Sequence, residues 1–558
     1  MVLLRPHITV IAGTGVGLAA CCIALAIMVG DIGFQGDDWW IFSFPYWSSF
    51  PQCVLEYAKE SSRPMEGLYW ITMFELFRFY QPPYFILSLF LLAGSSILMG
   101  LCLLTAFPGR QTAAAMSTLL AFVLPPTSNL TYMMHTDNSR ISMVFFWCSV
   151  LAFQKWAIGS GSWGGLTTPV VLYCLSVLTY ENTSLLIFSV PLFIWPAHYA
   201  KQAGSPAVSL SIRLFTGIVS GFVLFLLVRF LVFSGGAVGQ SSWVPSFHLF
   251  WRYISSAALF CATPFLQLPS DKWSWVWGLS VAAIAVFVIL FRRGDQTGQE
   301  SSAGVSCSQA YCYPIILGVV FFFLGTMPYL IANYGAGVGY TSQSRIYSSG
   351  SFGLATAIGY LVTAGRRDSR SRLVFTITVT IVVAFMATFF ADLRNGWKEA
   401  AQRRSELCRS LIRQVPDVVE GTTFLFLDLQ SYISNRAVVF QGVDGLEQFI
   451  KMLYGKKNLH AYFLYHPGFT GSDIKGKTAE VSPRGVMARG SAVTGPAPLD
   501  RLLIFERKRS QLVLLDGIVA QERQAAIEWQ GITEINSNLE RVISLTVVGE
   551  KKREICGH

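Results

Sequence analysis

Charge is what this sequence has least of. Only 13% of its 558 residues are Asp, Glu, Lys or Arg, about half of the roughly 25% that is typical of soluble globular proteins. This shortage excludes an ordinary cytosolic enzyme, and the 53% of hydrophobic residues excludes a disordered chain. The apolar residues are concentrated in long runs, and the mean hydropathy is +0.48. The composition therefore predicts a polytopic membrane protein.

Several motifs with well-defined chemistry are missing. The eleven cysteines include no CxxC pair, so neither a zinc site nor a framework of disulfides is indicated. The glycines of the stretch Asn333–Gly350 are not followed by Lys-Ser or Lys-Thr, which argues against a P-loop. The net charge of +10 could suit a nucleic acid, but the basic residues lie in short clusters between apolar runs. We therefore do not expect nucleic acid as a partner.

Apolar segments suited to crossing a membrane occupy most of the chain before residue 392. A spanning helix needs about 20 mostly apolar residues. The eleven predicted spans are residues 8–30, 83–105, 112–126, 141–157, 166–180, 183–198, 212–233, 272–291, 311–332, 348–364 and 373–391. The segment 249–268 is also apolar, but counting it as a span would move the later basic clusters to the other side of the membrane. We interpret it as a re-entrant or interfacial helix.

The distribution of charge predicts the orientation of these spans, because Lys and Arg accumulate on the cytoplasmic side. With a cytoplasmic N-terminus, Arg292, Arg293 and the basic cluster at 366–372 all lie inside. Ten of the thirteen acidic residues before Asp392 then lie outside. The first apolar run has no evident cleavage site and is long enough to span, so we expect it to be retained. The predicted outer loops are residues 31–82, 127–140, 234–271 and 333–347.

The C-terminal part has a different character. From Asp392 onward the chain holds 23 of the 42 basic residues and 19 of the 32 acidic residues. Strand-like runs occur at Thr423–Leu429, Ala461–Tyr465 and Leu502–Phe505, and a helical pattern at Leu446–Tyr454. We therefore expect a transmembrane catalytic domain over residues 1–391 and a soluble α+β domain over residues 392–558. By the orientation above, this second domain faces the periplasm or a lumen.

Two adjacent carboxylates, Asp37 and Asp38, follow directly after the first predicted span. Such a pair resists simultaneous ionisation unless a cation, a metal or a substrate hydroxyl offsets the charge, which is why acidic pairs serve as bases or metal ligands. The neighbouring Trp39 and Trp40 could stack on a sugar or settle at the membrane interface. The plain alternative is a polar helix end.

Further candidates for substrate binding lie in the outer loops. They are Arg63, Glu66, Asp137, Glu181, Tyr340 and Arg345. Arg63 and Glu66 could hold a phosphate and a hydroxyl, or could simply pair with each other. Glu181 lies in a tight turn at membrane depth, where a carboxylate is costly without a partner; the alternative is a helix end capped by its neighbours. Arg345, just before a late span, is suited to an anionic headgroup.

These features together resemble the integral-membrane glycosyltransferases of the GT-C fold. The shared features are the acidic pair after the first span, the Arg63-Pro64 step, the Tyr180-Glu181 turn and an arginine in a late outer loop. The chain is most similar to the bacterial branch that takes sugars from polyprenyl phosphate. The likeness covers essentially the whole membrane part, and the stretch Val415–Thr423 resembles the outer domain of uncharacterised members.

The resemblance implies a reaction and a set of roles. Asp37 or Asp38 would deprotonate an acceptor hydroxyl on a glycan, lipid or protein, and Arg345 would bind the lipid phosphate. Glu66 and Glu181 would orient hydroxyls, and a single displacement would invert the anomeric centre. A divalent metal, Mg²⁺ or Mn²⁺, stays open, because only some GT-C enzymes use one and loop one has no DxD triplet. The implied location is the bacterial inner membrane, with the active site facing out and a role in cell-envelope polysaccharide synthesis.

Other functions are compatible with the same composition. A ligase or polymerase of lipid-linked glycans would share the fold but release polyprenyl pyrophosphate. A transporter or flippase would use the outer charges as a vestibule, but it should carry ionisable residues in the middle of its spans, whereas this sequence keeps nearly all of them near span ends. A scaffold without chemistry would leave the outer acidic residues unexplained.

Overall fold

The structure is a computed structural model of the full chain. It describes residues 5–30, 32–34, 37–159, 162–199, 207–232, 247–266, 269, 271–290, 307–331, 342–363, 369–427, 432–433, 437–438, 442–464, 479–482, 485–488, 502–508 and 511–515.

Helices dominate the described part of the chain. The seventeen α-helices are α1 (Arg5–Val29), α2 (Asp37–Trp47), α3 (Phe50–Ser61), α4 (Pro64–Phe77), α5 (Pro82–Ala106), α6 (Gln111–Val123), α7 (Pro125–Ser128), α8 (Asp137–Ile158), α9 (Thr167–Thr179), α10 (Val190–Tyr199), α11 (Ala207–Val232), α12 (Phe247–Leu266), α13 (Lys272–Leu290), α14 (Cys307–Ile331), α15 (Gly350–Thr363), α16 (Ser369–Gln414) and α17 (Gly442–Tyr454). Short 3₁₀ helices occupy Asn129–Tyr132, Met134–Thr136, Trp163–Leu166, Glu181–Ser189 and Ser342–Tyr347.

Among the described residues, seven helical segments are long and apolar enough to cross a membrane, so the chain is an integral membrane protein. They are Val10–Val29, Pro82–Ala106, Met134–Ile158, Leu210–Val228, Lys272–Ile289, Cys312–Ile331 and Thr376–Gln414. Three further predicted spans, at 112–126, 166–180 and 348–364, correspond to the shorter apolar helices Gln111–Val123, Trp163–Thr179 and Gly350–Thr363. The predicted span at 183–198 differs, because there a 3₁₀ helix over Glu181–Ser189 precedes the ten-residue α10.

The chain forms two compact units. The first comprises Met1–Gly30, Pro51–Met73 and Pro82–Arg394, and the second comprises Asp31–Phe50, Phe74–Gln81 and Asn395–His558. Two short segments of the first predicted outer loop thus belong to the same unit as the C-terminal part. Helix α16 continues as one helix through the predicted boundary at residue 392. Beyond Leu393 it is amphipathic, with Trp397, Ala400 and Leu411 buried, so its apolar stripe allows the helix to continue outside the apolar run.

Close helix packing in the first unit depends on glycine. Between α14 and α15, a Cβ added to Gly353 would lie 2.4 Å from the carbonyl oxygen of Gly318. Small residues at such crossings allow two backbones to approach, which is how helices associate in membranes. The same arrangement holds α13 against α16, where a Cβ on Gly278 would lie 1.9 Å from Thr388 Oγ1. These contacts fix the helices whose ends carry the polar residues described below.

The second unit contains a four-stranded sheet in the order β4-β1-β7-β8. Its strands are β1 (Thr423–Leu427), β4 (His460–Leu464), β7 (Leu502–Lys508) and β8 (Gln511–Leu515); the short strands β2 (Tyr432–Ile433), β3 (Ala437–Val438), β5 (Ala479–Ser482) and β6 (Gly485–Ala488) form two separate hairpins. Strand β1 pairs in parallel with both β4 and β7, while β8 runs antiparallel to β7. Helix α17 connects β1 to β4, as parallel pairing requires a crossover. The strand-like runs that begin near residues 423, 461 and 502 and the helical pattern at 446–454 coincide with β1, β4, β7 and α17.

Candidate functional site

A tight turn between α3 and α4 positions Arg63. Helix α3 ends at Ser61, and Ser62 adopts a left-handed backbone conformation with φ of 60°. The Ser62 N–H still donates to the Ala58 carbonyl (2.9 Å), and the Arg63 N–H donates to Ser61 Oγ (3.1 Å). Pro64 then begins α4 at the position where its missing N–H costs nothing. Arg63 is thereby held between two helix ends.

Arg63 binds the carboxylate of Glu181 through two hydrogen bonds. Its Nε donates to Glu181 Oε2 at 2.8 Å, and its Nη2 donates to Oε1 at 2.7 Å. The guanidinium also lies over the ring of Tyr180, 4.5 Å from its centroid. Burial by itself would lower the pKa of Arg63, but the charges of Glu181 and Glu66 outweigh it and hold that pKa well above its usual value. The bidentate geometry fixes both the position and the plane of the Glu181 carboxylate.

Glu66, in the first turn of α4, is a buried carboxyl, with 2% of its surface exposed. Its Oε1 accepts from Asn138 Nδ2 at 2.8 Å, and its Oε2 lies 3.4 Å from Arg63 Nη1. Burial raises the pKa of Glu66, while Arg63 and hydrogen bonds from Tyr57 and Asn138 oppose the rise. The Glu66 carboxyl therefore loses its proton at a higher pH than an ordinary glutamate does.

A set of small polar side chains, Ser139, Asn182 and Ser348, connects the segments that carry the charged residues. Asn182 Nδ2 donates to Ser139 Oγ (3.2 Å) and to Ser348 Oγ (3.3 Å), and Ser139 Oγ donates to Ser348 Oγ (2.8 Å). Asn182 follows Glu181 directly, Ser139 follows Asn138, and all three small side chains are buried. Within the described residues the Oδ1 of Asn182 has no hydrogen-bond partner. This bridge ties the Glu181 turn to the start of α8 and to the segment preceding α15.

Arg345 belongs to the same neighbourhood. It lies in the 3₁₀ helix Ser342–Tyr347, and its carbonyl accepts from Ser348 Oγ at 2.7 Å. Burial raises the pKa of Tyr180, and the positive charges of Arg345 and Arg63 oppose that rise. The hydroxyl of Tyr180 accepts from Tyr329 at the end of α14, at 2.8 Å. Arg63 and Arg345 thus both act on one buried tyrosine.

Asp137, a predicted substrate ligand, is fully buried and paired. Its carboxylate is fully buried and accepts from Arg140 Nη1 (2.5 Å), Ser88 Oγ (2.7 Å) and Tyr69 Oη (3.0 Å). Arg140 is also buried and donates to Thr131 Oγ1 at 3.0 Å. This ion pair joins α4, α5 and α8 and holds the neighbouring Asn138 in place against Glu66. Asp137 therefore supports the position of Asn138 and, through it, of Glu66; its role as a substrate ligand stays a prediction.

The remaining predicted residues belong to the second unit or lie outside the described residues. Asp37 and Asp38 form the first turn of α2, in the second unit, where carboxylates are favoured by the helix dipole. Asp37 is partly exposed and Asp38 is buried. Tyr340, the other candidate in the Arg345 loop, lies outside the described residues.

In the first unit the structure brings together the predicted residues Arg63, Glu66, Glu181 and Arg345, and with them residues that the sequence did not single out. The additional ones are Tyr57, Asn138, Ser139, Asn182, Tyr329 and Ser348. Tyr180 also belongs to this set and was already recognised in the sequence as part of the Tyr180-Glu181 turn. The only signal in the sequence is adjacency, and it applies to Asn138 and Asn182, each of which follows a predicted acidic residue. We call this set, with the four charged residues, the polar cluster.

No group of three or more His, Cys, Asp or Glu side chains in the described part of the chain is arranged to hold a metal ion. Comparison with descriptions of known protein families and with curated proteins finds no match to this chain. The function is therefore argued from the polar cluster itself: a half-buried, firmly oriented carboxylate, a second buried carboxyl and two arginines at the ends of apolar helices.

Proposed function

We propose that the protein is an integral-membrane glycosyltransferase that moves a sugar from a polyprenyl-phosphate donor to a hydroxyl acceptor at the outer face of a bacterial inner membrane. The observation that carries the proposal is the polar cluster. Arg63 and Glu66 of the first predicted outer loop and Glu181 of its turn are joined by hydrogen bonds and an ion pair at helix ends. Arg345 of the last predicted outer loop acts on the neighbouring Tyr180. A lipid-linked donor presents its phosphate and sugar at that depth, just beyond its hydrocarbon chain.

The distribution of charge along the spans favours this function over transport. The spans Val10–Val29, Pro82–Ala106 and Cys312–Ile331 contain no charged residue at all. Transporters typically place ionisable residues near the bilayer midplane, often where a helix is interrupted. A cluster confined to helix ends suits chemistry on a substrate that lies at the membrane surface.

The proposed reaction is a single displacement. The acceptor O–H transfers its proton to a carboxylate, its oxygen bonds to the anomeric carbon, and the bond from that carbon to the phosphate oxygen breaks with both electrons leaving on the phosphate. The sugar passes through an oxocarbenium-like transition state, as in glycoside hydrolysis. Arg345 stabilises the charge that develops on the phosphate, and Glu181, held by Arg63, orients a sugar hydroxyl.

The resemblance assigns the base to the acidic pair, and of its two members Asp37 is the better candidate. Its side chain is partly exposed, whereas only 1% of Asp38 is exposed. A base must reach the proton that it removes, so a buried carboxylate is better suited to holding the helix end. No step in this scheme passes through a metal ion.

Two features support an outward orientation. Arg394 on α16 is paired with Asp271, which caps the start of α13 by accepting from the Ser274 N–H at 3.0 Å. This pairing links the start of α13 to the middle of α16, so both positions share one side of the membrane, the side that the charge distribution places outside. Cys408, farther along α16, is disulfide-bonded, and disulfides persist in oxidising compartments such as the periplasm.

The test is sugar transfer from a purified polyprenyl-phosphate donor by the detergent-solubilised protein. Asp37→Asn should abolish transfer while leaving the melting temperature unchanged. Asp38→Asn, by contrast, should lower the melting temperature. Glu75→Gln is the matched control, because Glu75 is an exposed carboxylate of the same predicted loop that pairs only with the nearby Arg78 in the contacts described. Full activity in Asp37→Asn would remove Asp37 as the proposed base, and full activity in both aspartate variants would remove the acidic pair from the proposed reaction.

A further inference from the structure

The segment that carries Asp37 and Asp38 is attached to the C-terminal part of its own unit. Just before α2, the Ile32 N–H donates to Gln81 Oε1 (3.3 Å), and the Ile32 carbonyl accepts from Arg404 Nη2 (3.2 Å). Gly33, with φ of +63°, lies so close to this guanidinium that an added Cβ would be 2.8 Å from Nη2. The backbone just before α2 is therefore held in place by Arg404 of α16.

Helix α2 itself packs on α17. The Trp39 ring meets the Phe449 ring edge to face, with centroids 4.9 Å apart, and both side chains are buried. At the other end of α2, the Tyr46 hydroxyl donates to the Met452 carbonyl at 3.2 Å, a contact between residues 406 positions apart in the chain. Phe34, Phe42 and further aromatic rings complete the packing around Trp39.

An eleven-residue helix cannot hold this conformation alone. Isolated helices shorter than about 12–15 residues are marginal in water, and α2 also contains Pro45. The orientation of its first turn must come from tertiary packing. Trp39 is the residue next to Asp38, so its contact with Phe449 lies one residue from the acidic pair.

We propose that the C-terminal part of the second unit is the positioning scaffold of the acidic pair, and that Phe449 is a positioning residue for Asp37. This inference rests on the proposed function, because it assigns a role to Asp37 as the base. A second expectation does not depend on any reaction: α2 keeps its helical order only while α17 packs against this helix. The alternative is that the C-terminal part is an independent module whose packing has no effect on Asp37.

The experiment compares two buried phenylalanines of the same unit, each changed to Ala and to Leu. Phe449 contacts Trp39, whereas Phe505 lies in the sheet against Phe424 and Phe426, with centroids 6.0 and 5.5 Å away. We expect Phe449→Ala to lower kcat about 10- to 100-fold, the scale of a misplaced catalytic group, with KM for the lipid donor little changed. Phe449→Leu should recover most of the loss, and folded Phe505 variants should keep kcat.

Hydrogen exchange supplies the readout that needs no activity. Phe449→Ala should speed exchange of the amides of residues 38–47, while Phe505→Leu should not. Unchanged exchange in α2 together with an unchanged kcat would overturn the inference. If the wild-type protein transfers no sugar, the proposed function fails, whereas faster exchange in Phe449→Ala would still support the scaffold and unchanged exchange would still refute it.

Discussion

Arg63 binds both carboxylate oxygens of Glu181, at 2.8 and 2.7 Å, across 118 residues of sequence. The sequence suggests Arg63 as a phosphate ligand, but in the structure its guanidinium is occupied by Glu181, by Glu66 and by the ring of Tyr180. Our proposal therefore keeps Arg345 alone as the residue that binds the lipid phosphate. Arg63 becomes the residue that orients the Glu181 carboxylate.

The pair can be tested by a double-mutant cycle. Arg63→Met should lower the free energy of unfolding by about 2 kcal/mol, between the values for exposed and for buried ion pairs, because it leaves two carboxylates without their cation. Glu181→Gln should cost less. The two changes together should be less harmful than their sum by about 1 kcal/mol, measured by chemical denaturation in detergent. Strict additivity would show that the two residues are energetically independent.

Glu66 predicts a pH dependence of stability. Burial raises the pKa of Glu66 above 4.5, so the folded state binds its proton more tightly than the unfolded state does. The resulting stabilisation is fully present below pH 4.5 and is lost as the pH rises through the raised pKa. Glu66→Gln cannot lose a proton, so the melting temperature of this variant minus that of wild type should increase with pH across this window. A constant difference would contradict the assigned protonation.

The turn at Ser62 should discriminate between side chains by shape. A φ of 60° is tolerated by Asn but not by a β-branched residue, for which the left-handed conformation costs about 1–2 kcal/mol or more. We expect Ser62→Val to lower both the melting temperature and the activity, because the turn carries Arg63. Ser62→Asn should stay close to wild type. Equal behaviour of the two variants would show that the backbone conformation at residue 62 is unimportant.

The crossing of α14 and α15 offers a matched pair of glycine substitutions. Gly353→Ala would force a methyl group to within 2.5 Å of the Phe322 amide nitrogen, whereas a Cβ on Gly94 in α5 meets nothing within 4 Å. Gly353→Ala should therefore destabilise the protein by about 1–3 kcal/mol. Gly94→Ala should be neutral or stabilising, because alanine is the better helix former. Thermal unfolding in detergent checks both, and a destabilised Gly94→Ala would count against the packing described here.

Much of the architecture could be predicted from the sequence because apolar length is a strong signal. Four of the seven long spans, Val10–Val29, Pro82–Ala106, Lys272–Ile289 and Cys312–Ile331, begin and end within two residues of a predicted span. The period of α17 and the strands of the sheet were also recognisable. The structure of the stretch 183–198 was not recognisable. Its composition is mostly apolar, which predicts a span, but Pro191 and Pro196 favour a broken helix. The sequence pattern also did not indicate that Cys408 is disulfide-bonded.

The candidate site was only partly predictable, because hydrogen-bond partners are set by tertiary structure. Charged residues in outer loops stood out against an apolar background, and Arg63, Glu66, Glu181 and Arg345 were identified in this way. Ser348 and Asn182 are ordinary polar residues in the sequence, and only the hydrogen bond between them in the structure marks them as members of the polar cluster. The assignment of Asp37 and Asp38 to the same unit as α17 depends on contacts between residues some 400 positions apart.

The measurement that tests the account most directly follows a radiolabelled sugar on a polyprenyl-phosphate donor in the presence of purified protein and acceptor hydroxyls. We predict that wild-type protein releases polyprenyl phosphate and a glycoside of inverted anomeric configuration, and that Arg345→Ala and Glu181→Gln each reduce the release strongly while remaining folded. Release of polyprenyl pyrophosphate from a lipid-linked glycan instead would indicate a ligase or polymerase. Counterflow of a substrate in proteoliposomes without any lipid donor, with no sugar transferred, would contradict the account.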